Sequence, residues 1–183
     1  PKDLCTLPFL DKVLDAGVKI LKIEGRGRSP EYTKVTVGVY SEAVKAIQNG
    51  EFTEEKIAQW TERLRSVYNR DFWDGYYLGR KMGEWTQRYG SQATKTKIFV
   101  GTVTNFFAKI NVAEIRMETQ DLKVGDDIMI IGPTTGVYED KVSEIRVDLK
   151  PVESTEKGEL CSIPVKDVIR RGDKVYKVID AES

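Results

Sequence analysis

Glu24, Arg26, Arg28 and Ser29 lie close together in the stretch KILKIEGRGRSPEY, Lys19 to Tyr32. Two guanidinium groups beside a helix start can hold a phosphate or carboxylate through bidentate hydrogen bonds and the positive end of the helix dipole. Ser29 adds a hydroxyl at that start. Glu24 can orient Arg26 or serve as an acid or base. The competing reading is a solvated turn whose arginines pair with neighbouring acids. The chain contains no histidine, which closes His-based triads, His-containing zinc sites and imidazole general bases within it. Catalysis by Asp, Glu, Lys, Ser or Cys stays open.

These residues need elements to aim them. The run VKILKI, Val18 to Ile23, reads as a buried strand that feeds the charged turn. A helix then starts at Ser29-Pro30, with Glu31 near its positive end. Strand, charged loop and helix start is how α/β proteins place chemistry. The next stretch, KVTVGVY, alternates like a strand. However, Tyr32, Val35, Val39, Ala43, Val44 and Ile47 recur at three- and four-residue spacing up to Asn49-Gly50, which predicts a helix.

Upstream, Thr6 to Ala16 reads as a short helix with Leu7, Leu10, Val13 and Leu14 on one face, stopped by Gly17. Thr53 opens a further helix carrying Ile57, Trp60, Leu64 and Val67. An aromatic cluster follows: Tyr68, Phe72, Trp73, Tyr76 and Tyr77, then Trp85 and Tyr89, broken by Gly75, Gly79, Gly83 and Gly90. With Arg70 it can stack bases, but such spacing more often makes a packing seam. Ser91 to Thr96 reads as a linker.

From Lys97 the texture is β. Short strands are expected at 98–103, 112–117, 127–131, 137–138, 141–147, 160–165 and 174–178. The turns Val124-Gly125-Asp126, Lys157-Gly158-Glu159 and Arg171-Gly172-Asp173 each offer a glycine and an acid that closes the turn with its side chain. Closely spaced strands without helices predict a small closed barrel.

Composition sets the outer bounds. The chain of 183 residues is 40% hydrophobic and 32% charged, which fits a globular protein of one ordinary domain or two small ones. Lys+Arg and Asp+Glu balance at 29 each, against strong non-specific nucleic-acid binding but open to a local basic patch. No apolar run approaches the ~20 residues of a membrane span. No signal peptide is visible, and the chain opens without Met, as expected of a fragment or processed chain. Cys5 and Cys161 make no disulfide framework, and a cytoplasmic location is the expectation.

Several motifs, in order, resemble the C-terminal half of the collagenase-like peptidases, the U32 peptidase family. They are Asp3-Leu4-Cys5, LDAGVKILKIEGRGRSPEY, YNRDFWDGYYLG, VGTVTN, GPTTGVYEDKVSEI and RRGDKVYKV. The segment LKVGDDIMIIGPTTG also resembles the second domain of translation elongation factor Tu. The resemblance implies a TIM-like barrel as the family's catalytic body, with a cysteine-rich segment that is absent here. It also implies that some relatives carry an iron–sulfur cluster and hydroxylate RNA bases or a quinone precursor. Cys5 resembles the last cysteine ligand of those relatives; the plain alternative is a small buried hydrophobe.

The expected fold is therefore α+β: a partial TIM-barrel-like βα remnant (1–50), a helical aromatic-rich extension and linker (51–96), and a small all-β barrel (97–183). The expected function is the C-terminal part of a collagenase-like peptidase, with the barrel positioning a macromolecular substrate. Glu24 is the candidate catalytic residue, Arg26, Arg28 and Ser29 the anion-binding set, and Cys5 a candidate iron–sulfur ligand in a longer parent. No cofactor is expected in this stretch itself, which is expected to be inactive alone. The alternatives are part of an iron–sulfur-dependent RNA hydroxylase, or a stand-alone RNA- or protein-binding module. Expected partners are the N-terminal barrel part of the parent, a protein or RNA substrate, and a second copy paired through the exposed strand; a membrane is not among them.

Overall fold

A computed structural model describes residues 1–79, 85–86 and 90–181; Gly83 and Tyr89, singled out above, lie outside them. The chain forms two compact units, Pro1–Thr94 and Lys95–Ser183.

The first unit is mainly helical. A 3-10 turn over Leu7–Phe9 leads into α1 (Leu10–Asp15), then α2 (Pro30–Gln48) and α3 (Glu54–Arg65). Leu7, Leu10, Val39, Ala43, Ala46, Trp60 and Leu64 form its core with Cys5. The helical reading of KVTVGVY holds because Val39 and Ala43 point into that core on one side of α2. The Thr53 hydroxyl caps α3, accepting from Lys56 N–H at 3.3 Å. Ser29 occupies the cap position of α2, yet its side chain makes no cap bond. Glu42 ties α2 to α3 by accepting from Trp60 Nε1 at 3.0 Å and from Arg63.

The strand expected over Val18 to Ile23 does not form. Val18 to Gly25 carry no regular secondary structure, and Ile20 is 85% exposed. A strand exists only by sharing backbone hydrogen bonds with a neighbour, and among the described residues none pairs here. The short strands that do pair are β1 (Asp3–Leu4) and β2 (Phe72–Trp73), in parallel. Their register, Asp3 opposite Phe72 and Leu4 opposite Trp73, fastens the start of the chain beside the aromatic segment. The aromatic cluster packs locally: Trp73 meets Tyr76 edge to face at 5.2 Å, and Phe9 lies 6.1 Å from Tyr77.

The second unit is one antiparallel sheet of eight strands. They are β3 (Lys95–Phe107), β4 (Val112–Met117), β5 (Asp127–Gly132), β6 (Gly136–Lys141), β7 (Ile145–Val147), β8 (Lys150–Val152), β9 (Leu160–Pro164) and β10 (Lys174–Asp180). Their order is β6-β5-β10-β3-β4-β9-β7-β8, with β6 and β8 at the two edges, so the closure expected of a barrel is not seen among the described residues. One core gathers inward residues from across it, among them Val100, Ile115, Ile130, Ile145, Cys161, Ile163 and Val175. The expected strand at 141–147 is divided, with Val142 to Glu144 outside any strand, and β8 adds to the expected set. The three acidic turns form as read: Asp126 accepts from Lys123 N–H at 2.8 Å, Glu159 from Glu156 N–H at 2.7 Å and Asp173 from Arg170 N–H at 2.9 Å.

Candidate functional site

The centre of the first unit's polar face is Asp3. Its Oδ1 accepts from Arg28 Nη2 at 2.8 Å, from Arg70 Nη2 at 2.9 Å and from Arg70 Nε at 3.2 Å, while Oδ2 accepts from Arg70 N–H at 3.0 Å. One carboxylate thus gathers two guanidinium groups and a backbone amide. The Asp3 and Arg28 side chains are 13% and 16% exposed, so this pair is better shielded from screening than an ordinary surface bridge. Hydrogen bonding and charge from Asp3 hold the Arg70 guanidinium above its usual range.

Local sequence explains how the three residues meet. Pairing of β1 with β2 brings Asp3 to the Arg70 corner. Asn69 builds that corner: buried at 1% exposure, it donates to the Val67 carbonyl at 2.9 Å and accepts from Asp71 N–H at 3.1 Å. Asp71 then adopts φ +67°, a left-handed turn that Asp tolerates better than most residues. Burial pushes the Asp71 carboxyl up, but hydrogen bonds from Phe72 N–H and Lys2, with Arg65 nearby, hold it below the usual range.

Arg28 is further fixed between rings, its guanidinium carbon 4.6 Å from the Tyr68 ring centre and 5.1 Å from that of Tyr32. With Asp3 on its edge and aromatic rings nearby, its charge is already met within the unit. Arg28 therefore anchors the loop. Glu24 accepts from Arg26 N–H at 2.7 Å, closing the turn in front of α2. Both Glu24 and Arg26 are exposed. Glu24, Arg26, Gly27, Arg28, Ser29, Tyr68 and Arg70 line one open depression. The expected acid/base and anion-binding residues are thus brought together, and Asp3, Tyr68 and Arg70 join them.

Cys5 sits apart from that depression, buried among the helical core, with Sγ 3.8 Å from the Tyr40 hydroxyl. Burial pushes its thiol up, against smaller opposing effects from hydrogen bonds to Leu7 and Tyr40. A cluster ligand is a thiolate, and a cluster wants about four of them. Among the described residues no three Cys, Asp or Glu side chains are placed to hold a metal. Within this chain Cys5 supplies at most one of those thiolates. Cys161 lies in the sheet core of the second unit, and burial drives its thiol up to about 12. No helix among the described residues is long and apolar enough to cross a membrane.

Against this geometry, residues 1–87 match the family model of peptidase family U32. The chain is 52% identical over 177 residues to a collagenase of Porphyromonas gingivalis, covering 97% of this chain and 43% of that protein. It is 32% identical over 136 residues to the tRNA hydroxylation protein P1 of Bacillus subtilis, covering 73% of this chain and 31% of that one. The C-terminal domain of a candidate U32 peptidase from Geobacillus thermoleovorans superposes at TM-score 0.41 with 14% identity, covering 43% of this chain and 96% of that domain. The chain belongs to the U32 peptidase family. It spans less than half the length of the curated relatives named here.

Proposed function

We propose that this chain is the C-terminal, substrate-engaging part of a U32 peptidase of the collagenase type. The observation that carries the reading is the Asp3 clamp, which holds the 24–29 loop in one place by way of Arg28. A loop fixed in this way presents Arg26 and the unbonded cap hydroxyl of Ser29 to an incoming carboxylate or phosphate, with Arg70 at the margin. Glu24 is the acid/base candidate of the same depression. Support for peptide over other substrates comes from the 52% identity to a protein named collagenase.

In a parent of the relatives' length, Val18 to Ile23 would find neighbouring strands and become the barrel strand that the sequence suggests. The eight-stranded unit would close as a small barrel that positions the substrate. The test is binding of denatured collagen to the full chain by biolayer interferometry. Arg26→Ala is expected to weaken it by about ten-fold or more, the scale of one lost charge-assisted hydrogen bond. Equal binding by wild type and Arg26→Ala would remove the loop from the reading.

A second reading, tRNA hydroxylation, is favoured by the 32% identity to tRNA hydroxylation protein P1. In that case the anion at the loop is a phosphate. Oligonucleotide competition for the same Arg26-dependent site would select it.

A further inference from the structure

We propose that the outer face of the β3–β10 pair is a stacking platform for single-stranded nucleic acid. The proposal concerns the second unit alone and stands apart from the peptidase reading of the first.

The face is built by register. Tyr176 on β10 lies directly opposite Phe99 on β3, and their rings meet at 5.8 Å and 65°. Their neighbours Val100 and Val175 point into the core, so the two rings stand on the opposite side of the sheet. Both rings are partly exposed. Each ring has an ammonium over it: Lys97 Nζ is 5.0 Å from the Tyr176 centre, and Lys174 Nζ is 5.5 Å from that of Phe99. Lys174 is steadied by donating to Thr102 Oγ1 at 2.9 Å. Arg116, opposite Thr102 on β4, extends the positive edge and is exposed. Glu139, opposite Met129 on β6, marks the acidic limit on the other side.

Cross-strand aromatic pairs stabilise sheets by themselves, and lysine stems cover apolar surface. The magnitudes favour a ligand nonetheless. An ammonium over an exposed ring contributes about two- to five-fold, whereas a base stacked on an aromatic side chain contributes about 5- to 150-fold. A nucleotide that takes the ring face brings its phosphate within reach of the ammonium groups beside the rings. Binding gains on both counts. Stacking accepts any base because every base has a π-face. The balanced charge of the whole chain, 29 against 29, keeps the attraction local to this patch.

The test is fluorescence anisotropy of labelled oligouridylate and oligodeoxythymidylate titrated with the full chain at several salt concentrations. Saturable binding is expected, with affinity falling as salt rises. Lys97→Gln with Lys174→Gln is expected to lower the slope of log affinity against log salt by about 1.4, at roughly 0.7 per phosphate contact on a single strand. Tyr176→Leu is expected to weaken binding about five-fold or more. Should Tyr176→Leu lose the sheet signal in circular dichroism, the lysine pair carries the test. Binding of both oligonucleotides, or of the RNA alone, supports the platform; the two outcomes separate ribose-blind from ribose-selective stacking. No saturable binding, an unchanged salt slope in the double variant, or capture of denatured collagen at this face in place of the oligonucleotide would overturn it.

Discussion

Asp3 and Arg28, 25 positions apart in sequence, meet at 2.8 Å between Oδ1 and Nη2. The same oxygen holds Arg70 at 2.9 Å. A two-residue strand at the start of the first unit thereby fixes the loop in front of α2. The rigidity of the candidate site comes from this carboxylate rather than from a strand beneath the loop.

Removing that charge tests the dependence. Asp3→Asn keeps the shape but leaves two arginines without their anion, one of them largely buried. A loss of about 1–3 kcal/mol in the first unit is expected, read as a lower urea midpoint by tryptophan fluorescence. An unchanged midpoint would mean that solvent satisfies the arginines.

Arg28→Lys separates charge from plane. The ammonium can still meet Asp3, but the flat guanidinium beside Tyr32 and Tyr68 is lost. Increased protease nicking between Glu24 and Ser29 is expected, detected by mass spectrometry. The same nicking rate as wild type would show that the rings do not hold the loop.

Gly132 is tied to Asp173. A Cβ at Gly132 would collide with the Asp173 carboxylate, which accepts from Thr135 Oγ1 at 2.6 Å and from Arg170 N–H at 2.9 Å. Gly132→Ala is expected to destabilise the sheet unit by roughly 2–4 kcal/mol, read as a fall in Tm. A Tm within a degree or so of wild type would show that the turn yields.

The pH dependence follows from buried protonated groups. Burial drives Cys161 from 9.0 to about 12 and both Tyr40 and Tyr138 from 10.0 to about 12. A folded pKa above the unfolded one gives stability that is whole below the unfolded value and lost as pH rises through the folded one. Denaturant midpoints are therefore expected to hold at pH 8 and fall between about pH 9 and 12. On the acid side, hydrogen bonds from Arg63 lower Glu42 and those from Lys166 lower Asp140, so their contribution is present above the unfolded carboxylate range and lost below it. Flat stability from pH 8 to 12 would contradict the buried-thiol placement of Cys161.

Much of the β unit was legible because its signals are local. Glycine and acid at fixed offsets define the turns at Asp126, Glu159 and Asp173, and each forms. The helix over 30–48 was legible because its apolar spacing outlasts the valine alternation. Val18 to Ile23 misled because hydrophobicity says what a segment would bury, whereas a strand also needs a neighbour to bond. In the site, Glu24, Arg26, Arg28 and Ser29 were visible as a charged turn. Asp3 was not, and Arg70 was read only with the aromatic cluster, since 67 residues separate the two and only the β1–β2 pairing brings them together. The signal within reach lies in Asp3-Leu4-Cys5 and YNRDFWDGYYLG, which hold the two strands that pair.

The most direct measurement compares a protein of the relatives' full length carrying this chain with its Asp3→Asn and Glu24→Gln variants on denatured collagen, alongside hydroxylation of unmodified tRNA. The peptidase account predicts new collagen fragments from the wild type, at least about ten-fold fewer from either variant, and no tRNA product. Hydroxylated tRNA without any collagen cleavage would contradict it and establish the second reading.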